Sequence, residues 1–370
     1  MTWRADGAGS GVDRMYHALV RHLPQQGVAV NGLALDAGEP SPSAIHTVAS
    51  VQASLAERCI GVRRTARQIL GATAPDLVAT HFPLYALPVL DLVPPRPLVV
   101  HFHGPWAAEA AAEGESWPVV QAKRWIERCV YRRGTRFIVL STAFQRVLTE
   151  DYGVGPSRIH VVPGGVDIKR FAVAASQHEA RRRLGWPLHR PIVLSVRRLV
   201  RRVGLEPLID AMRIVTQTVP DALLLIAGKG PRAEALQARI GAQGLADSVR
   251  LLGFVPDADL PLAYRAAHAS VVPTQALEGF GLVAVESFAA GTPALVTPVG
   301  GLPEVVGPLS PDLVMADTTA EAIAARLIGV LRTTISVPEA STCRQYAADH
   351  FAWPLIAQQI RDVYHKVVHS

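Results

Sequence analysis

Cysteine is nearly absent from this 370-residue chain: Cys59, Cys129 and Cys343 are odd in number and far apart. That excludes a disulfide framework and a cysteine-built zinc site, and it fits a reducing cytoplasm. Aromatic residues make up 6% and are not interleaved with the arginines, and no RNP, zinc-finger or KH signature is present, so nucleic acid is not an expected partner. No apolar run reaches the roughly 18 residues of a spanning helix, and the opening MTWRADGAGSG reads as no signal peptide. The expected location is cytoplasmic, free or peripheral at the inner face of the membrane. Charged residues are only 18% against 49% hydrophobic, which leaves no charge-rich tail and supplies apolar surface for two cores. The net charge of +6 suits an acidic ligand, such as a nucleoside diphosphate or an anionic membrane surface.

What is abundant is alternation. Short apolar runs, LVATHF (77–82), PLVVHF (97–102), RFIVLS (136–141), RIHVVP (158–163), PIVLSV (191–196), ALLLIAG (222–228), VRLLGF (249–254), ASVVPT (269–274) and PALVTP (293–298), read as strands buried on both faces. Between them the apolar spacing is helical, as in Val12, Met15, Tyr16, Leu19, Val20 and Leu23. Strand and helix in alternation predict parallel sheets and an α/β class. A polar, basic, proline-punctuated stretch at 172–191 suggests a linker. The expected domains are 1–175 and 176–350, followed by a separate helix, 351–370, packing back toward the first.

In TQALEGFGLVAVESFAAGTP (274–293), two carboxylates, Glu278 and Glu286, flank a glycine-led helix start. The helix N-terminus offers amides to a phosphate, and the carboxylates can accept hydrogen bonds from sugar or ribose hydroxyls. On spacing alone the structural reading comes first, with Glu278 as a complement to the helix dipole and Glu286 as a paired, partly buried acid. RRLVRR places Arg197, Arg198, Arg201 and Arg202 past the strand at 191–196, as a phosphate clamp or as a solvated basic turn. Asp257 and Asp259 have the letters of a metal-binding D-x-D but precede LPLAYRAA, where aspartate caps a helix. His81, His101 and His103 lack the spacing of a metal site. DGAGSG is not a dinucleotide fingerprint.

The pattern E-x-F-G-x-x-x-x-E followed by AAGTPALVTPVGGLPEVV resembles the donor-binding signature of glycosyltransferase family 4, retaining enzymes of the GT-B fold. Agreeing stretches are GSGVDRMYHAL (9–19), HFHGPW (101–106), VVPGGVDIKRF (161–171), SVRRLVRRVGLEPLIDAM (195–212), AGKGP (227–231) and LLGFVPDADLPLAYRAAHASVVP (251–273). The resemblance implies two Rossmann-like domains with parallel sheets facing a central cleft, an acceptor-binding one first and a nucleotide-sugar-binding one second. It implies transfer of a sugar from a nucleotide-diphosphate sugar to a hydroxyl on a glycan or lipid-linked acceptor, in bacterial cell-surface polysaccharide or lipid-linked glycan synthesis, without metal or other cofactor.

Carried over by position, Glu278 contacts the donor sugar and steadies oxocarbenium charge, Glu286 binds the ribose, and His103 lies near the donor sugar. The backbone from Gly279 through Phe280, Gly281 and Leu282 to Val283 meets the sugar or diphosphate. Gly253, Phe254 and Val255 meet the base, Gly228 and Gly230 line the donor site, and Gly9 to Gly11 approach from the first domain. Arg198 fits the family's arginine, but Val203 stands where a lysine follows five positions later, so Arg202 or Arg201 takes over that charge. Two rivals are a nucleotide-sugar epimerase of the same fold and a catalytically silent nucleotide-sugar-binding subunit.

The front of the chain departs from this pattern. Of the residues before its first glycines, Arg4 and Asp6 are charged and only Trp3 is a strong strand former, too little for the buried strand that feeds such a loop. The expectation is that the first strand is missing or truncated, the chain starting downstream of its native start, with DNA upstream encoding an in-frame run of Val, Ile and Leu.

Overall fold

The computed structural model describes residues 11–36 and 44–369; the expectation for the first strand and Gly9 lies outside them. The chain divides into two compact units, residues 1–165 with 353–370 and residues 166–352.

In the first unit, α1 (Gly11–His22) buries Met15, Tyr16, Leu19 and Val20, the face expected from their spacing. It leads to β1 (Gly32–Asp36) and β2 (Ile45–Ser50), a parallel pair. Next comes α2 (Leu55–Thr73), opened by a capping box in which Ser54 and Glu57 bond each other's backbone amides. A second parallel sheet follows, ordered β3 (Val78–Thr80), β4 (Leu98–Phe102), β5 (Arg136–Val139) and β6 (Ile159–Val161). β4 is buried throughout, and the core around it includes Phe102, Tyr131, Phe137 and Phe144.

The second unit holds one parallel sheet, in spatial order β11 (Ala294–Val296), β10 (Ala269–Val272), β7 (Ile192–Val196), β8 (Leu223–Ala227) and β9 (Val249–Gly253). A helix joins each strand to the next in sequence. β8, β10 and β11 are buried along their whole length, which is why β8 and β11 are unbroken apolar runs and β10 is broken only by the buried Ser270.

The boundary lies ten residues before the expected one. Arg170 Nη2 donates to the Asp257 carbonyl (2.9 Å), Arg265 Nε to the Ala175 carbonyl (3.1 Å) and Gln177 Nε2 to the Ala267 carbonyl (2.8 Å). Residues 166–175 are thereby tied to the second unit, and the basic stretch read as a linker contains the helix Gln177–Leu184, capped by Ser176. Phe351 ends the helix Ala340–Phe351 and accepts the Val166 amide (2.8 Å). The helix Trp353–Val368 belongs to the first unit, where the Tyr364 hydroxyl lies 2.7 Å from His101 Nε2.

Candidate functional site

The sheet of the second unit reverses its direction of growth between β7 and β10. The chain runs outward through β7, β8 and β9, then returns to place β10 on the other side of β7. In parallel α/β sheets the carboxyl ends at such a reversal are where ligands bind. Arg197 follows directly on β7 and Thr274 comes two residues after β10.

These two residues and Glu278 form a closed trio. Arg197 Nη2 lies 2.6 Å from Glu278 Oε2 and 2.9 Å from Thr274 Oγ1, and the threonine hydroxyl donates to the same carboxylate oxygen at 3.1 Å. The side chains are largely buried, 9% exposed for Arg197 and 14% for Glu278. Burial works to raise the Glu278 pKa, but the Arg197 charge and hydrogen bond, with Arg202 and Thr274, outweigh it and hold the carboxyl below its ordinary range. Arg197 Nε is buried without a partner among the described residues, a donor with capacity for one more acceptor.

The backbone around Glu278 is fixed from two sides. Leu277 sits in the left-handed region (φ 57°), and Arg202 Nη1 donates to its carbonyl at 3.1 Å; strain of this kind is kept where the surroundings overdetermine it. The Glu278 carbonyl accepts the Gly301 amide at 2.9 Å. Three residues on, Gly281 (φ 84°) caps the helix Leu282–Ala289, whose first amides point out of the helix start. About one turn in, Glu286 is buried and accepts a hydrogen bond from the Tyr264 hydroxyl (3.1 Å).

In the first unit, three imidazoles stack at the ends of β3 and β4. Ring centroids are 4.2 Å apart for His81 and His101 and 5.2 Å apart for His81 and His103. His81 Nδ1 meets His103 Nε2 at 2.9 Å. Burial lowers the pKa of all three, so they are neutral rings in which one partner of each hydrogen bond donates. Among the described residues no group of three or more His, Cys, Asp or Glu is placed to hold a metal ion.

Residues 9–170 match the family described as Glycosyltransferase Family 4, and residues 176–350 match Glycosyl transferases group 1. The chain belongs to glycosyltransferase family 4. It is 35% identical over 186 residues to mannosylfructose-phosphate synthase of Agrobacterium fabrum, covering 48% of this chain and 40% of that protein. The chain spans from 36% to 64% of the length of the first curated relatives it matches. In fold it is similar to sucrose-phosphate synthase from Thermosynechococcus elongatus (TM-score 0.81, 22% identity, 99% of this chain and 97% of that one). It is also similar to Anabaena HepE in complex with UDP and glucose (TM-score 0.77, 20% identity, 97% of each). The architecture is that of GT-B glycosyltransferases.

Against the family pattern, the arginines fall out differently from the sequence expectation. Arg198, the positional match, is exposed, and it is Arg197 that holds Glu278. Consecutive side chains of an extended segment point to opposite sides, so only one of the pair faces the carboxylate. Val203, in the lysine position, is 3% exposed and packs in the core. Arg201 is exposed, whereas Arg202 lies against the Glu278 loop.

Gly228 and Gly230 have a backbone role. A Cβ on Gly228 would stand 1.8 Å from the Arg197 carbonyl oxygen and one on Gly230 2.4 Å from that of Leu199, so these glycines let the turn after β8 lie on the arginine segment. Phe254 is 55% exposed beyond β9, with Lys229 Nζ 5.3 Å from its ring; Val255 beside it is half-buried. Gly279 and Phe280 are buried and Leu282 and Val283 half-buried. Phe280 stacks edge-on against Phe351, which leaves its backbone for a ligand. Gly11 is the exposed first residue of α1, and His103 stands in the histidine stack.

Asp259 occupies the N-cap position of the helix Leu260–Ala266 but makes no side-chain cap bond, and Asp257 pairs with Arg170 at 3.3 Å. Sequence reasoning missed Thr274, Lys229 and the Tyr264 partner of Glu286. Lys229 was visible as the cation between the two glycines of AGKGP.

Proposed function

We propose that this chain is a hexosyltransferase that moves a sugar, with retention, from a nucleotide-diphosphate sugar to a hydroxyl acceptor, without a metal ion. The observation that carries the reading is the Arg197–Thr274–Glu278 trio at the sheet reversal, beside a glycine-led helix start. Glu278, kept ionised, accepts hydrogen bonds from the donor sugar and faces positive charge developing at its anomeric carbon. The amides from Phe280 to Val283 and the guanidinium groups of Arg197, Arg198 and Arg202 receive the departing diphosphate, each charge-assisted bond contributing about 1.5–3 kcal/mol. Glu286 takes the ribose and the Gly253–Val255 turn the base. The cation that Val203 does not supply comes from Arg197 and Arg202. His103 binds the sugar as a neutral donor or acceptor.

Release of nucleoside diphosphate from a panel of UDP-, GDP- and ADP-sugars tests this. Release that requires a hydroxyl acceptor and persists in excess EDTA is expected. Loss in EDTA restored by magnesium overturns metal independence; donor conversion without acceptor points to an epimerase, and donor binding without turnover to a silent subunit. Arg202→Ala is expected to lower turnover at saturating donor, and unchanged turnover removes Arg202 from the clamp.

The acceptor is proposed to be glycan or lipid-linked, reached at an anionic membrane surface by the first unit. α2 exposes Ile60 (65%), and the helix Trp117–Arg133 exposes Trp117 (73%) and Trp125 (60%), among Arg64, Arg67, Arg124, Arg128 and Arg132. Aromatic side chains with adjacent basic groups suit the headgroup region, at about 1 kcal/mol per basic residue. No helix among the described residues is long and apolar enough to cross a membrane. Flotation with liposomes is expected to rise with anionic lipid and fall with salt, and binding indifferent to lipid charge removes the membrane surface from the proposal.

A further inference from the structure

Glu286 is a carboxylate buried beside Val285, Phe288 and Ala289 on the helix Leu282–Ala289. A buried carboxylate is costly unless it is hydrogen-bonded. The bond it accepts from Tyr264 comes from outside its own helix, from the helix Leu260–Ala266.

The tyrosine is the last member of a directed series of donors. Ser270 Oγ on β10 donates to Ser287 Oγ (2.7 Å), Ser287 Oγ to the Thr292 carbonyl (2.9 Å), Thr292 Oγ1 to the Tyr264 carbonyl (2.8 Å), and the Tyr264 hydroxyl to Glu286 Oε2 (3.1 Å). Ser270, Ser287, Thr292 and Tyr264 are all buried. Thr292 therefore ties down both helices: its amide and carbonyl bond Ser287, the neighbour of Glu286, and its hydroxyl holds the backbone of Tyr264. The tyrosine ring also packs on Phe171, with centroids 6.1 Å apart. A buried polar network satisfied at each step specifies one geometry, so the protein itself sets the placement of phenol against carboxylate.

That placement acts on one property of the carboxylate. The last torsion of a glutamate is broad and roughly two-fold, whereas its two oxygens meet a vicinal diol together in only one orientation of the carboxylate plane. A hydroxyl bonded to Oε2 restricts that torsion. The orientation then need not be acquired on binding, where ordering a free side chain lowers affinity about 2- to 12-fold.

With Glu286 on the ribose, the assignment on which this rests, we propose that Tyr264 is a positioning residue that presets the Glu286 carboxylate for the vicinal diol of the nucleotide. Selectivity follows from the same geometry. A nucleotide without the diol gains nothing from a preset carboxylate, so Tyr264 sharpens the preference for ribonucleotide donors over deoxyribonucleotide ones.

Calorimetric titration of the unaltered chain, Tyr264→Phe and Glu286→Ala tests this. Each is titrated with whichever of UDP, GDP and ADP binds the unaltered chain most tightly, and with the 2′,3′-dideoxy counterpart of that nucleotide. The unaltered chain is expected to favour the ribonucleotide about 10- to 100-fold, and Glu286→Ala to bind the two alike within about twofold. Tyr264→Phe, which keeps the ring on Phe171, is expected to cut the preference at least about threefold while the dideoxynucleotide stays within about twofold of its affinity for the unaltered chain. A Tyr264→Phe protein that retains the full preference, or that loses affinity for both nucleotides equally, overturns the proposal and leaves Glu286 on the ribose. A preference absent from the unaltered chain, or kept by Glu286→Ala, overturns the ribose assignment and the proposal with it. Should Tyr264→Phe fail to fold, Tyr264→Met, which also lacks the hydroxyl and fills irregular core space, is held to the same ratio.

Discussion

Glu278→Gln is expected to lower sugar transfer by about 10²–10³-fold while nucleoside diphosphate binds within a few-fold of its affinity for the unaltered protein. The amide keeps the shape of the side chain and can still accept from Arg197 and Thr274, so the change removes the negative charge and little else. In the proposed mechanism that charge acts on the sugar as the bond to the leaving group breaks, and the nucleotide does not sense it. Glu286→Ala is expected to weaken nucleotide and nucleotide sugar alike, because its carboxylate, bonded to Tyr264, is assigned to the ribose that both ligands share. Calorimetric titration with the diphosphate beside initial-rate measurements separates the two variants; equal loss of nucleotide affinity in both would contradict the assignment.

The pH dependence follows from the same ion pair. The folded-state pKa of Glu278 is depressed, so its stabilising contribution is complete above the unfolded value, about 4.3. It is lost as pH falls through the lower folded value. Transfer that depends on the ionised carboxylate is expected to hold its rate down to about pH 4.3, with the acid limb below that in the pH–rate profile. An acid limb centred near neutrality would assign the titration to another group.

Gly300→Ala is expected to destabilise the second unit by about 2–5 kcal/mol and to abolish transfer along with it. Gly300 has φ 58°, and a Cβ there would stand 1.9 Å from the carbonyl oxygen of Glu278, a distance that forces backbone to move. The movement falls on the loop that carries Glu278, since the next residue, Gly301, donates its amide to that same carbonyl. Gly185→Ala is the control: it has a similar φ, 65°, but nothing within 4 Å of the added atom, so it carries only the conformational cost of about 1 kcal/mol. Thermal unfolding of the two variants distinguishes steric displacement from left-handed strain, and equal losses would show that the contact to Glu278 is not what Gly300 protects.

Nine of the strands were legible as short apolar runs; burial on both faces explains this for β4, β8, β10 and β11, whereas β3, β6 and β9 are only partly buried. β1 and β2 were not. GLALD is short and opens on glycine, and in IHTVAS only two of six residues are buried, so neither makes such a run. The domain boundary was misplaced because QHEARRRL is polar enough to read as linker while its helix is fixed by long-range bonds, such as Arg181 Nε to the Ala266 carbonyl, that no local pattern encodes. At the site, the two glutamates and the glycines between them stood out because their spacing is local. The choice between Arg197 and Arg198 depends on which side of the chain leaving β7 faces Glu278, a fact of the folded sheet. The His101–Tyr364 hydrogen bond spans 263 residues and is invisible to any window along the chain.

The helix Trp353–Val368 completes the first unit with seven buried residues, Tyr364 among them, and this sets an order of events on the ribosome. The 187 residues from Val166 to Ala352 emerge as one uninterrupted stretch, and at typical synthesis rates they take about 10 to 40 s. Throughout that interval the nascent first unit has the described strands β1–β6 and no closing helix, so His101 and the apolar faces that the helix covers stay open to solvent. The second unit, by contrast, has every one of its elements before translation ends. The first unit is therefore finished after the second although most of it is translated earlier, and chaperone occupancy on the nascent chain would concentrate on residues 11–165 until the helix Trp353–Val368 emerges.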